Sequence, residues 1–271
     1  MTEMPSSPSP ARRFLMVHGV QHRRPRDHWL WWLTEALRQR GEQVLYPQFP
    51  TPEQPSMSEW IDLLHAELAQ LGEQERVVVC HSLGCALWLH AAQSLPEDLR
   101  VTRVLLVSPL GDQAFTAANG NEEFRLDGID RELLTAASAK APHVVVSATD
   151  PYAPADPCAW SAALGLDCDV LPAAGHITPQ DGYGPWPAAL DWCLRTDPRV
   201  PRHRIVSADG SMAGRRLRLT HDLTMPGARP TDPPRQAEER PRCNAVGEVA
   251  AINRMRRAAP GRRPPWAGAA V

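Results

Sequence analysis

The stretch Arg76-Val77-Val78-Val79-Cys80-His81-Ser82-Leu83-Gly84-Cys85 sets one serine where a β-branched run gives way to an apolar, helix-like segment. A serine on so tight a strand-to-helix turn is pushed toward a left-handed backbone, and the residues two positions to either side have to be small. Gly84 is small, and Cys80, standing where a glycine would be most permissive, is still compact. Such a serine can serve as a nucleophile, or it can simply cap the helix that follows. Its hydroxyl attacks at neutral pH only if a base takes the proton and an acid orients the base. Asp150 and His176 meet that need. Asp150 lies in Ala148-Thr149-Asp150-Pro151-Tyr152, just past the strand-like His143–Ser147, and His176 lies in Ala174-Gly175-His176-Ile177. Alone, Asp150 reads as the opener of an Asp-Pro turn and His176 as a loop histidine. Jointly, each after a strand, they read as the acid and base for Ser82.

That chemistry also needs preorganised N–H groups aimed at the oxygen that becomes negative. Leu83, directly after the serine, supplies one. The second is expected from His18-Gly19-Val20-Gln21, where Gly19 permits close approach and either Val20 or Gln21 donates, Val20 being the expected donor. The remaining histidines show no metal-ligand spacing, so no metal site is expected. Cys80 and Cys85 are read as small buried residues beneath the turn.

These groups have to be delivered by strands. Phe14–Val17, Gln43–Tyr46, the run before Ser82, Val101–Val107, His143–Ser147 and Cys168–Leu171 are short apolar runs. Between and after them lie helical segments at Trp29–Arg40, Trp60–Leu71, Ala86–Leu95, Arg131–Ala139, Pro157–Ala163 and Trp186–Leu194. Ser56 and Glu59 have the spacing of a capping box, and Asp156-Pro157 that of an N-cap and first helical position. Asp112 to Leu126 reads as a long loop or flap. The alternation predicts a doubly wound, mostly parallel sheet of five or six strands with helices on both faces, because parallel strands need crossovers. Ser82, Asp150 and His176 then all fall at carboxyl ends of strands, the edge where such sheets hold their sites.

The chain has 271 residues and a net charge of -2, which gives no global field to attract nucleic acid or an anionic membrane. The charge is uneven: from Pro201 onward it is about +8. Residues 1–11 and 197–271 are rich in Pro with Ser or Arg and are expected to be disordered, leaving one domain at 12–196. Two other readings of the tail stay open, an arginine-rich arm for nucleic acid or acidic partners, and a shifted reading frame. Six cysteines without paired spacing, no basic-apolar leader and no membrane-length stretch predict a cytoplasmic protein with free thiols.

The order Ser82, Asp150, His176 is that of α/β-hydrolases. The sequence further resembles the small serine-hydrolase family typified by retinoblastoma-binding protein 9 and YdeN. The likeness is carried by Val17-His18-Gly19, His28-Trp29, Tyr46-Pro47, His81-Ser82-Leu83-Gly84-Cys85, Asp150-Pro151-Tyr152 and Gly175-His176-Ile177 followed by Gly182-Tyr183-Gly184-Pro185-Trp186-Pro187. It covers about residues 12–195 and none of the tail. It implies a cofactor-free hydrolase of small acyl esters or amides, with Ser82, Asp150 and His176 as triad. It also implies little or no lid, hence a shallow pocket for short acyl chains, and an oligomeric state that is not specified. The competing reading is a catalytically weak protein-binding module on the same fold, with Cys80 tilting the turn.

Overall fold

The computed structural model describes residues 12–116 and 120–195. Six strands form one sheet: β1 (Arg12–Val17), β2 (Gln43–Leu45), β3 (Glu75–His81), β4 (Arg103–Val107), β5 (His143–Ser147) and β6 (Asp167–Leu171). Their order is β2-β1-β3-β4-β5-β6 and every pairing is parallel. The helices are α1 (Trp29–Arg38), α2 (Met57–Gln70), α3 (Leu83–Ala91), α4 (Arg131–Ala136), α5 (Pro157–Ala163) and α6 (Pro187–Leu194).

The strands are apolar at successive positions because both faces are covered. Phe14, Met16, Val77, Val79, Leu105, Val107 and Val145 point to one core, against Leu30, Leu33 and Leu37 of α1 and Leu190 of α6. Leu15, Val17, Val78, Cys80, Val104, Leu106 and Val144 point to the other, against Trp60, Leu64 and Leu68 of α2, the near-wholly apolar α3, and Leu134 of α4. One-residue alternation along each strand therefore sorts two cores, and a slip of one residue would exchange them. The chain steps outward from β1 to β2, then returns to place β3 on the other side of β1. Loops leaving β1 and β3 thus part in opposite directions, and the cleft between them is where such sheets bind ligands.

The helix at Pro157–Ala163 starts as expected, with Asp156 Oδ1 accepting the Ala159 N–H at 2.9 Å. The capping box at α2 does not form. The helix begins at Met57, but Ser56 makes no side-chain cap bond; its hydroxyl pairs with Ser58 at 3.2 Å, and Glu123 accepts the Met57 N–H at 3.1 Å. A partner remote in sequence has taken one of the orphan donors that local spacing assigned to the cap. Among the described residues of the expected flap, Asp112–Ala114 and Glu122–Phe124 are 3-10 turns, and Phe124 is wholly buried against Trp60, so this part of it is a packed wall. The expected disorder of 1–11 and 197–271 lies outside the described residues. Among the described residues no helix is long and apolar enough to cross a membrane, and no cluster of His, Cys, Asp or Glu is arranged to hold a metal ion.

Candidate active site

β3 ends at His81, and Ser82 turns the chain into α3 with φ 56° and ψ −124°. That positive φ on a residue with a Cβ stores strain of about 1–3 kcal/mol. The turn survives because its neighbours leave no choice. A Cβ on Gly84 would lie 2.8 Å from the carbonyl oxygens of both Val17 and His18, so only glycine lets α3 start this close to β1. Two residues before Ser82, Cys80 faces inward into the core and is fully buried, so its thiol occupies the core and not the turn. Burial pushes its pKa well up, as it does for Cys85, whose thiol donates to Val107 O at 3.3 Å. Both behave as small apolar residues.

The three residues expected to act together are brought together. His176 Nε2 lies 2.9 Å from Ser82 Oγ, and His176 Nδ1 lies 2.9 Å from Asp150 Oδ2. An ionised carboxylate only accepts, so the Nδ1 proton is donated to Asp150 and the Nε2 lone pair faces the serine hydroxyl. Both oxygens of Asp150 are used, since Oδ1 accepts the Tyr152 N–H at 2.9 Å, and its side chain is 0% exposed. Ser82 is 6% exposed and the His176 side chain 15%, at the floor of a cavity of about 740 Å3.

Gly19 approaches Ser82 so closely that a Cβ there would lie 2.8 Å from the serine Cβ. The next two residues divide. Gln21 donates its N–H to Pro52 O at 2.6 Å, which commits that donor elsewhere, while the Val20 and Leu83 N–H groups take no hydrogen-bond partner among the described residues. His18 stays neutral, lowered by burial to about 4. Its Nε2 accepts the Phe49 N–H at 3.0 Å and its Nδ1–H donates to Gly19 O at 2.8 Å, pinning the loop that carries Val20.

Sequence reasoning missed the groups that lock the loops together. Ser147 Oγ accepts the N–H of Thr149 at 3.1 Å and of Ala174 at 2.9 Å, and Thr149 Oγ1 accepts the Gly175 N–H at 3.2 Å, so two hydroxyls tie the Asp150 loop to the His176 loop. Asp181 holds the His176 loop from its far side. The only available signal was that Ser and Thr close strand β5 beside Asp150. The cavity beside these residues has a mixed lining. Its walls are polar at Gln21, His22, Asp27 and Gln180 and apolar at Leu110 and Tyr152, and Asn121 of the packed wall contributes to the lining.

The serine hydrolase family profile matches residues 14–194. The protein YdeN of Bacillus subtilis strain 168 is 26% identical over 184 residues, covering 66% of this chain and 93% of that protein. The crystal structure of the B. subtilis ydeN gene product superposes with a TM-score of 0.59 at 23% identity, over 67% of this chain and 96% of that one. A YdeN-like protein from Pectobacterium atrosepticum gives 0.52 at 22% identity, over 67% and 88%. These two structures share the fold.

Proposed function

This chain belongs to the serine hydrolase family, and we propose that it cleaves small carboxylic esters, with amides as the slower class, through an acyl-enzyme on Ser82. The observation that carries the proposal is the unbroken chain Ser82 Oγ, His176 Nε2, His176 Nδ1, Asp150 Oδ2, with 2.9 Å at each side of the ring. In this reading Ser82 Oγ attacks the acyl carbon while its proton passes to His176 Nε2. Asp150 holds the tautomer and stabilises the imidazolium, and the N–H groups of Leu83 and Val20 receive the developing oxyanion. His176 then protonates the leaving alcohol or amine, and water repeats the sequence to release the acid. The polar walls at Gln21, Asp27 and Gln180 favour compact polar substrates over long alkyl chains.

The test is labelling of the purified full chain with a fluorophosphonate, beside Ser82→Ala, followed by a p-nitrophenyl ester series of increasing acyl length. Wild type is expected to label and the variant not, with kcat/KM for the acetate ester falling by about 10⁴-fold or more. Absence of labelling in a folded wild type would overturn the triad reading and leave the binding-module reading. Faster turnover of long-chain than of short-chain esters would overturn the substrate class.

A further inference from the structure

His176 can serve Ser82 only if its backbone is held, and it sits on a loop whose next residue, Ile177, has φ 55°, a left-handed conformation costly for a β-branched side chain. Something buried has to keep that loop in place. Two donors reach it from beneath. His81 Nε2 lies 3.0 Å from the carbonyl oxygen of His176, and the Trp29 indole N–H donates to the carbonyl oxygen of Ile177 at 3.0 Å. His81 is 3% exposed and Trp29 fully buried, and their rings pack edge to face at 5.6 Å. A carbonyl can only accept, so the His81 ring carries its proton on Nε2.

The geometry points to His81 as a positioning residue for the catalytic base. The argument rests on the triad reading above. His81 is the last residue of β3 and Ser82 is the next residue in the chain. One side chain therefore ties the backbone of the base directly to the strand that carries the nucleophile. With the carbonyl of His176 held at one end and Asp150 on Nδ1 at the other, the imidazole has no freedom to swing Nε2 away from Ser82 Oγ. Loss of the donor would leave a part-buried carbonyl without its partner beside a strained residue, and the loop would relax by moving His176. A misplacement of 1 Å at a reacting atom costs about 10²-fold in rate.

Wild type is first labelled with fluorophosphonate; if a folded wild type does not label, the triad reading fails and His81 has nothing to position. Given labelling, His81→Gln, whose amide N–H reaches where Nε2–H stood, is compared with His81→Phe, which fills the space without a donor. For p-nitrophenyl acetate, His81→Phe is expected to lose about 30–100-fold in kcat with KM within about twofold. His81→Gln is expected to recover to within about threefold of wild type. Equal rates for wild type and a folded His81→Phe overturn the proposal, as does His81→Gln being as slow as His81→Phe. A measurement on wild type stands apart from the folding of any variant: long-range ¹H–¹⁵N correlation of the imidazoles, with His81 assigned by its disappearance in His81→Gln. The Nε2–H tautomer is expected at neutral pH; an Nδ1–H tautomer overturns the proposal.

Discussion

Asp181 holds the backbone on which the proposed base, His176, is carried. One oxygen, Oδ2, accepts from the His176 N–H at 3.0 Å, the Thr178 N–H at 3.1 Å and the Thr178 hydroxyl at 2.7 Å. It gets this close because residue 175 is a glycine with φ 51°; a Cβ there would collide with the Asp181 carboxylate. Asp181 is exposed, so water can satisfy the freed donors in Asp181→Ala and the stability cost stays near 1 kcal/mol. What water cannot restore is the register of the loop. Asp181→Ala is expected to lower kcat for p-nitrophenyl acetate by about tenfold with little change in KM, whereas Asp181→Asn, which keeps one acceptor oxygen, should fall between. An unchanged kcat would mean that the donors beneath the loop hold it unaided. Tyr152 makes a different case. It is 49% exposed and stands edge-on to His176 at 5.0 Å, at the mouth of the cavity. Tyr152→Ala is expected to raise KM severalfold with kcat nearly unchanged, because an aromatic wall binds ground state and transition state alike.

At the scale of elements, two helix starts that look equally capped in sequence behave differently. Asp156 caps α5 through its side chain, while Ser56 at the start of α2 does not. Asp156→Ala is therefore expected to cost about 1 kcal/mol, and Ser56→Ala less than about 0.5 kcal/mol, read as a difference in melting temperature. The contrast marks where sequence was legible. Apolar runs bounded by turn residues located every strand to within about two residues, because parallel strands buried on both faces leave little freedom in composition. The family pattern and the order of Ser82, Asp150 and His176 likewise placed the three residues that meet at 2.9 Å. Hidden were the partners decided by approach of distant segments: Glu123 at the start of α2, Ser147 and Thr149 across the two site loops, His81 and Trp29 beneath His176. Each is a side chain of ordinary type whose role depends on a backbone group far along the chain, and no spacing rule encodes that. Part of the pocket lining was hidden for the same reason. Its wall around Asn121 is held by burial of Phe124 against Trp60, a contact invisible in the polar sequence of that segment.

For the folded domain as a whole, the histidines beside the site make a prediction about acid. His18, His22, His28, His81 and His176 form a continuous series of rings, with centroids 5.1, 4.6, 5.1 and 5.2 Å apart in that order. Backbone N–H groups occupy one nitrogen of several: Arg24 N donates to His22 Nδ1 and Leu30 N to His28 Nδ1, both at 3.1 Å, so those rings are held neutral. Burial lowers His18 to about 4, His28 to about 3 and His22 to about 2, and holds His81 well below the usual range, with neighbouring histidines adding to the effect in the last three. The unfolded chain, with ordinary histidines near 6.5, takes up protons that the folded chain refuses. Above pH 6.5 neither state is protonated and stability is complete. Below it, each of the four histidines removes about 1.4 kcal/mol per pH unit until its own folded value is reached, and His18 alone accounts for about 3 kcal/mol between pH 6.5 and 4. Melting temperature is expected to be flat from pH 8 to 7 and to fall steeply below pH 6, with two to four protons taken up on unfolding. Because the series ends at His176, loss of activity near pH 5 should coincide with loss of near-UV circular dichroism. A melting temperature that stays flat to pH 5 would show that these rings accept protons while folded. In that case the histidine series beside Ser82 would take up protons without the fold giving way, and activity would fall while the dichroism held.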